Sequence, residues 1–341
     1  MLSWAFCLLV PPWAKFFPSR WFLPAYVSSS WQSRSVPPER FDQYMARANA
    51  AYYAQHVFGR DFTTAPEISQ VFGELLGCWA KVVWQMLGAP ANIVFAEAGP
   101  GRGVLMADAL RAWATPNVHF IETSPTLRAE QVKRVPHATW HTSLSSVPPG
   151  PLILIGNEFL DALPVRQFVR RADGWVERYV ENGAYIEVPS DYSLPDDPIG
   201  SVREVNEAAI GFCTELSARD GIGLFIDYGP TESAPGESVQ AIKNGVYADP
   251  LLRPGEADIT AHVDFARIKR AIHAKGPVKQ NHFLTALGLY QRSDFLAQKH
   301  PDRALDLRLS VQRLTAPEAM GSLFKVLAVC PRHLPPLPGF V

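Results

Sequence analysis

The sequence predicts an α/β fold: a doubly wound parallel sheet with helices on both faces. Three observations carry this expectation. Short apolar runs recur at intervals filled by helix-length amphipathic stretches, as in a sheet assembled from βαβ units. One run, Leu152-Ile153-Leu154-Ile155, is apolar throughout, the pattern of a strand buried on both faces. Another, Ile93 to Glu97, ends in an acid and stops at a glycine cluster that opens a helix.

The first 38 residues stand apart: no acid precedes Glu39, and four of the nine tryptophans fall there. The apolar run from Leu2 to Ala14 contains Pro11 and Pro12 and is shorter than the roughly 20 residues a membrane span needs. It lacks a preceding basic stretch, so a secretory signal is not expected, whereas Ser and Arg without acids are reminiscent of a mitochondrial transit peptide. A poorly ordered extension is the plainer reading, and the fold is read from Glu39 onward.

A helix is expected over Phe41 to Tyr53. A clearer one spans Phe72 to Met86, where Phe72, Leu75, Leu76, Trp79, Val82 and Val83 share a face and Gly88 and Pro90 end it. The strand Ile93 to Glu97 is followed by a helix over Val104 to Trp113. The strand Val118 to Glu122 is followed by a helix over Pro125 to Arg134, with Ser124 as N-cap. After the buried strand at 152–155, Val165 to Arg170 and Trp175 to Val180 flank Ala172-Asp173-Gly174 as a β-hairpin. Ile222 to Ile226 is a further buried strand, ending at Asp227-Tyr228-Gly229, and Phe324 to Val329 is the last. Taken together these divide the chain into an extension (1–38), N-terminal helices with the first half of the sheet (39–157), an inserted lobe (158–220) and the rest of the sheet with a substrate-side insertion (221–341).

Composition removes several classes of function. With 341 residues, 47% hydrophobic and 19% charged, the chain can bury a full core and is not disordered. A formal net charge of −1 supplies no basic field to recruit nucleic acid. Four cysteines, at 7, 78, 213 and 330, form no CxxC and no pairing grid, so neither a disulfide scaffold nor a cysteine-rich zinc site is expected.

The glycine loop carries the first chemistry. Glu97-Ala98-Gly99-Pro100-Gly101-Arg102-Gly103 lies between a strand and a helix, where glycines let the backbone approach a ligand and the helix start offers free N–H groups. It lacks the Gly-Lys-Ser/Thr end of a phosphate-binding P-loop. Glu122, 19 residues after Gly103, ends the next strand, where an ionised carboxylate can accept both hydroxyls of a ribose. Alternatively, it caps the turn at Ser124.

The pattern E-x-G-x-G-x-G resembles motif I of class I S-adenosylmethionine (SAM) methyltransferases. The chain as a whole resembles the MidA family of those enzymes, which includes a mitochondrial protein-arginine methyltransferase that assists complex I assembly. The resemblance rests on five ordered blocks: Asp61-Phe62-Thr63-Thr64-Ala65-Pro66-Glu67-Ile68-Ser69-Gln70 with Phe72-Gly73-Glu74-Leu75; Gly99 to Gly103; Asn157-Glu158-Phe159-Leu160-Asp161-Ala162-Leu163-Pro164-Val165; Pro254 to Phe265; and Met320 to Leu327. It departs from the family at Arg60 and Asn281, where glycine is usual, and at Lys243-Asn244-Gly245. The resemblance implies a Rossmann-like class I methyltransferase sheet with an inserted α+β lobe, SAM as cofactor, and Glu97, Gly99, Gly101, Gly103, Glu122 and Asn157 around it.

Glu158 and Asp161 follow the buried strand, at the strand edge where doubly wound folds build their sites. If that segment turns helically they share a face. Carboxylates there suit an arginine acceptor, since they bind a guanidinium bidentately and orient it; an acid pair at a helix start is the alternative. Thr64, Glu67 and Ser69 precede a helix; they read as N-capping residues or, from the resemblance, as contacts across the cofactor pocket. Asp258, Thr260, His262 and Asp264 alternate as on one strand face; a hydrogen-bonded network fits them better than a metal, and none is expected. His262 and Asp264 remain substrate-side candidates.

The reading is a SAM-dependent methyltransferase acting on a protein, an arginine first, with Glu158 and Asp161 catalytic. A respiratory complex I subunit is a candidate partner; no nucleic acid and no stable membrane insertion are expected, and the oligomeric state is not legible. The alternatives are a SAM-binding assembly factor with little turnover, or a different acceptor. The compartment is the cytoplasm for a bacterial chain or the mitochondrial matrix otherwise.

Overall fold

A computed structural model describes residues 37–55, 63–115 and 117–340. The extension before residue 37, Arg60 and the Asp61-Phe62 pair of the first resemblance block lie outside the described residues.

The main sheet has seven strands: β1 Val94–Ala98, β2 Val118–Ile121, β3 Thr139–His141, β4 Leu152–Asn157, β5 Ile222–Tyr228, β6 Ala274–Lys279 and β7 Phe324–Val329. Their spatial order is β6-β7-β5-β4-β1-β2-β3. The five strands from β5 to β3 run parallel. An all-parallel sheet is corrected at one edge: β7 is antiparallel to both β5 and β6. An apolar run shows that a strand is buried but not which way it runs, because direction is set by how the chain enters the sheet.

Strand residues alternate between two cores, as the period of two requires. Phe95, Ile153, Ile155 and Leu224 face one side, where they meet α1 Gln70–Met86 and α2 Val104–Ala112. Val94, Ala96, Leu154 and Phe225 face the other, under Ala209, Cys213 and Leu216 of the helix Glu207–Ala218. Close packing of α1 on α2 needs Gly77, where a Cβ would stand 2.2 Å from the Ala109 carbonyl oxygen.

The hairpin forms with Arg171 opposite Gly174. Strand Gly174–Glu181 pairs with Arg166–Arg171 and Glu39–Arg40 on one edge and with Ala184–Ser190 on the other, all antiparallel. A three-stranded sheet of Gln240–Lys243, Val246–Ala248 and Asp258–Thr260 completes the insertions. Among the described residues no helix is long and apolar enough to cross a membrane.

Candidate active site

The parallel strands end together, so β1, β2, β4 and β5 deliver their C-terminal acids to one edge. β1 leads into the glycine loop. Gly99, Gly101 and Gly103 all have positive φ, at 63°, 50° and 77°, a region that costs any side-chain-bearing residue strain. At Gly99 a Cβ would also stand 2.9 Å from the Phe159 ring. The loop ends at α2, with Gly103 as its N-cap.

The loop, the turn Ala65–Ile68 and the end of β4 line a narrow cleft of about 30 Å³ that contains Thr64, Glu67, Glu97, Gly99, Gly101, Arg102, Asn157 and Glu158. Seven of the residues singled out from sequence therefore meet there. Glu97 is buried, and burial raises its carboxyl to about 8, against an N–H from Met106 that lowers it and a Glu122 charge that adds to the rise. Glu97 Oε2 and Asn157 Oδ1 are buried acceptors with no donor among the described residues. Two orphaned acceptors beside a glycine cradle fit a ligand that brings an ammonium group and a sulfonium, as the expected cofactor does.

Glu122 is outside that lining but tied to it. Its Oε1 accepts the Ser124 N–H at 2.7 Å, so the turn-capping alternative is also realised. Its Oε2 accepts from Gln131 Nε2 at 3.1 Å. The same amide donates to the Gly101 carbonyl at 2.7 Å, and Trp140 Nε1 donates to Gln131 Oε1 at 2.8 Å. Gln131, fully buried on the helix Pro125–Arg134, thus ties the glycine loop to the strand-end acid. Nothing in the sequence singles it out, since a helical glutamine carries no pattern. Ser124 caps that helix, accepting from the Leu127 N–H as expected. Replacing Glu122 by alanine is expected to weaken SAM binding by about 1–3 kcal/mol, the usual loss for hydrogen bonds to a charged acceptor; titration calorimetry measures it, and unchanged affinity makes Glu122 a bystander.

Just after β4, Glu158 has φ 51°. Its N–H bonds the Ile226 carbonyl of β5 at 2.9 Å. Left-handed backbone tied across the sheet cannot continue as a helix, so the helical face shared by Glu158 and Asp161 is corrected. Glu158 faces the cleft, with Oε1 accepting the Asn157 amide at 2.9 Å and the Ala65 N–H at 3.3 Å. Burial raises its carboxyl to about 7. Asp161 sits behind it, buried against Tyr228. Burial and the Glu158 charge push Asp161 upward, and the Tyr228 hydroxyl opposes this.

Asp227, fully buried at the end of β5, accepts the N–H groups of Leu160 at 2.9 Å, Asp161 at 3.2 Å and Tyr228 at 2.9 Å. It holds the backbone that carries both candidate acids. Its signal was present in the sequence: it ends a buried strand as Glu97 and Glu122 do.

Three substrate-side candidates are placed elsewhere. Ser69 caps α1, its side chain accepting the Val71 N–H. The alternating strand face ends at Thr260. His262 is exposed, its ring edge-on to Tyr228 at 5.4 Å. Asp264 caps the helix Phe265–Ala271 through the Arg267 N–H at 2.9 Å and accepts the Ser233 hydroxyl.

The profile of a family described as S-adenosyl-L-methionine-dependent methyltransferases matches residues 75–283. A protein named protein arginine methyltransferase NDUFAF7 homolog, mitochondrial, from Drosophila melanogaster is 33% identical, over 86% of this chain and 80% of its own. The Homo sapiens protein arginine methyltransferase NDUFAF7, mitochondrial, is 29% identical over 88% and 82%. Among solved structures, a Burkholderia thailandensis protein with bound S-adenosyl-homocysteine superimposes with a TM-score of 0.78 at 28% identity, covering 89% of this chain and 90% of that one.

Proposed function

The chain belongs to the MidA-like family of S-adenosyl-L-methionine-dependent methyltransferases, and from that premise we propose that its acceptor is an arginine of a protein. One observation carries the choice of acceptor. Glu158 presents its carboxyl group to the cleft and enters no ion pair among the described residues, and Asp161 behind it enters none either. An unpaired, half-buried carboxylate is costly, and a guanidinium supplies the permanent charge and paired N–H donors that satisfy it.

On this reading the residues take the following roles. The glycine loop and Gln131 shape the cofactor cleft, and Glu122 accepts the ribose hydroxyls. Glu97 and Asn157 accept from the amino group. The bound cofactor supplies an electrophilic methyl on sulfur and departs as a thioether. Glu158 binds the guanidinium, holds one nitrogen in line with that methyl, and takes the proton released as the N–C bond forms. Asp161 lies buried behind it, its carboxyl pushed upward by burial and the Glu158 charge, and Asp227 holds the Leu160–Asp161 backbone of the same segment. By the names of its relatives, the compartment to test first is the mitochondrion; the family resemblance makes a complex I subunit the first acceptor to try.

Incubating the protein and methyl-labelled SAM with a lysate from cells lacking it, followed by mass spectrometry of the labelled band, is the test. A methylated arginine is expected. Label on another residue type redirects the acceptor. Intact SAM binding with no label, together with rescue of the deletion by an inactive variant, indicates an assembly factor instead.

A further inference from the structure

The cofactor expected in the cleft carries an ammonium, a sulfonium and a carboxylate. The acceptors described above serve the two cations and the ribose; none serves the carboxylate. Among the described residues lining the cleft, Arg102 is the single cation, set against Glu67, Glu97 and Glu158. It stands inside the glycine loop, between Gly101 and Gly103, so its backbone is fixed at the wall. Its guanidinium pairs with Glu67 across the cleft, Nε to Oε1 at 2.9 Å and Nη2 to Oε2 at 2.5 Å. Both side chains keep contact with solvent, at 32% and 19% exposure, so the pair can exchange partners.

The cleft also has to widen. Its volume of about 30 Å³ is far below the roughly 300 Å³ or more that enclosed ligands of this size occupy. The Glu67–Arg102 pair is a direct tie between its two walls, the turn Ala65–Ile68 and the loop. We propose that Arg102 is the cofactor's carboxylate ligand and that Glu67 holds its place until the cofactor arrives: binding exchanges one bidentate carboxylate partner for another and parts the walls. The exchange needs no unpaired charge at Arg102 in either state. It also explains why a loop otherwise built of glycine and proline carries an arginine. The proposal rests on the reading of this cleft as the SAM site.

Calorimetry of the full chain with two ligands separates the possibilities. SAM carries the carboxylate; decarboxylated SAM keeps the amine, sulfonium and nucleoside but lacks it. The wild type is expected to prefer SAM over its decarboxylated form by about 10- to 100-fold, the range of a lost charge-assisted bidentate contact. R102Q is expected to lose that preference by binding SAM more weakly while binding decarboxylated SAM at least as well as before. R102K, which keeps the charge without the fork, should retain part of it. E67Q, which removes the competing partner and leaves Arg102 intact, should bind SAM severalfold more tightly. Equal weakening of both ligands in R102Q, an unchanged preference, or weaker SAM binding by E67Q overturns the assignment. A wild type that binds neither ligand overturns the SAM reading of the cleft itself.

Discussion

Replacing Glu158 by glutamine is expected to lower methyl transfer at least about 100-fold, the range that losses of acid–base and positioning groups produce, while SAM affinity changes little. The substitution preserves shape and the acceptor oxygen that receives the Ala65 and Asn157 donors, and removes only the charge. A pH profile distinguishes this from a distorted cleft. Burial raises the Glu158 carboxyl from its ordinary value to about 7. A raised carboxyl stays protonated, and so cannot pair with a guanidinium, until the pH passes that value. In the wild type kcat/KM should therefore rise through about pH 7 and level off above it, and in Glu158→Gln this limb should disappear from the residual activity. Loss of SAM binding in the variant would move Glu158 to the cofactor site.

Gly101→Val is expected to lower SAM affinity by at least about 100-fold with the fold retained. Gly101 has φ 50°, where a β-branched residue costs of order 1–3 kcal/mol, a cost a domain of this size tolerates. The loop also needs this backbone in place, because the Gly101 carbonyl receives the Gln131 amide that positions Glu122. The same variant therefore disturbs two parts of the cleft. Circular dichroism establishes folding and calorimetry the affinity; a folded Gly101→Val protein with normal SAM affinity would remove the loop from the site.

Much of this architecture is legible in the sequence because strong local patterns agree with the tertiary result. The helix Pro125–Arg134 begins where Ser124 caps it, and the hairpin turns where Asp173-Gly174 supplies turn chemistry. Strand β6, Ala274–Lys279, was invisible because its lysines, glycine and proline carry no strand pattern, and only pairing with β7 makes it one. β3, three residues long, is defined by pairing alone with β2. The site divides in the same way. The glycine loop announces itself, since its conformation dictates its residues. Partners brought together by folding do not: Gln131 is 30 residues from the carbonyl it binds, and Arg102 is 35 from Glu67. The helical spacing drawn for Glu158 and Asp161 failed because the Glu158 N–H is taken by β5, a strand remote in sequence.

A larger cavity exists elsewhere, of about 430 Å³, lined by Tyr290, Asp294, Arg308, Gln312 and Thr315 among others. Size alone would favour it as the ligand site; the strand-edge position, the positive-φ glycines and the orphaned acceptors favour the narrow cleft. A crystal structure of the protein with S-adenosyl-homocysteine decides between them. The account predicts the ribose hydroxyls on Glu122, the amino group beside Glu97 and Asn157, and the sulfur facing Glu158. Density for the ligand between the helices Leu289–Lys299 and Ala304–Thr315, with the glycine cleft still closed, would contradict it.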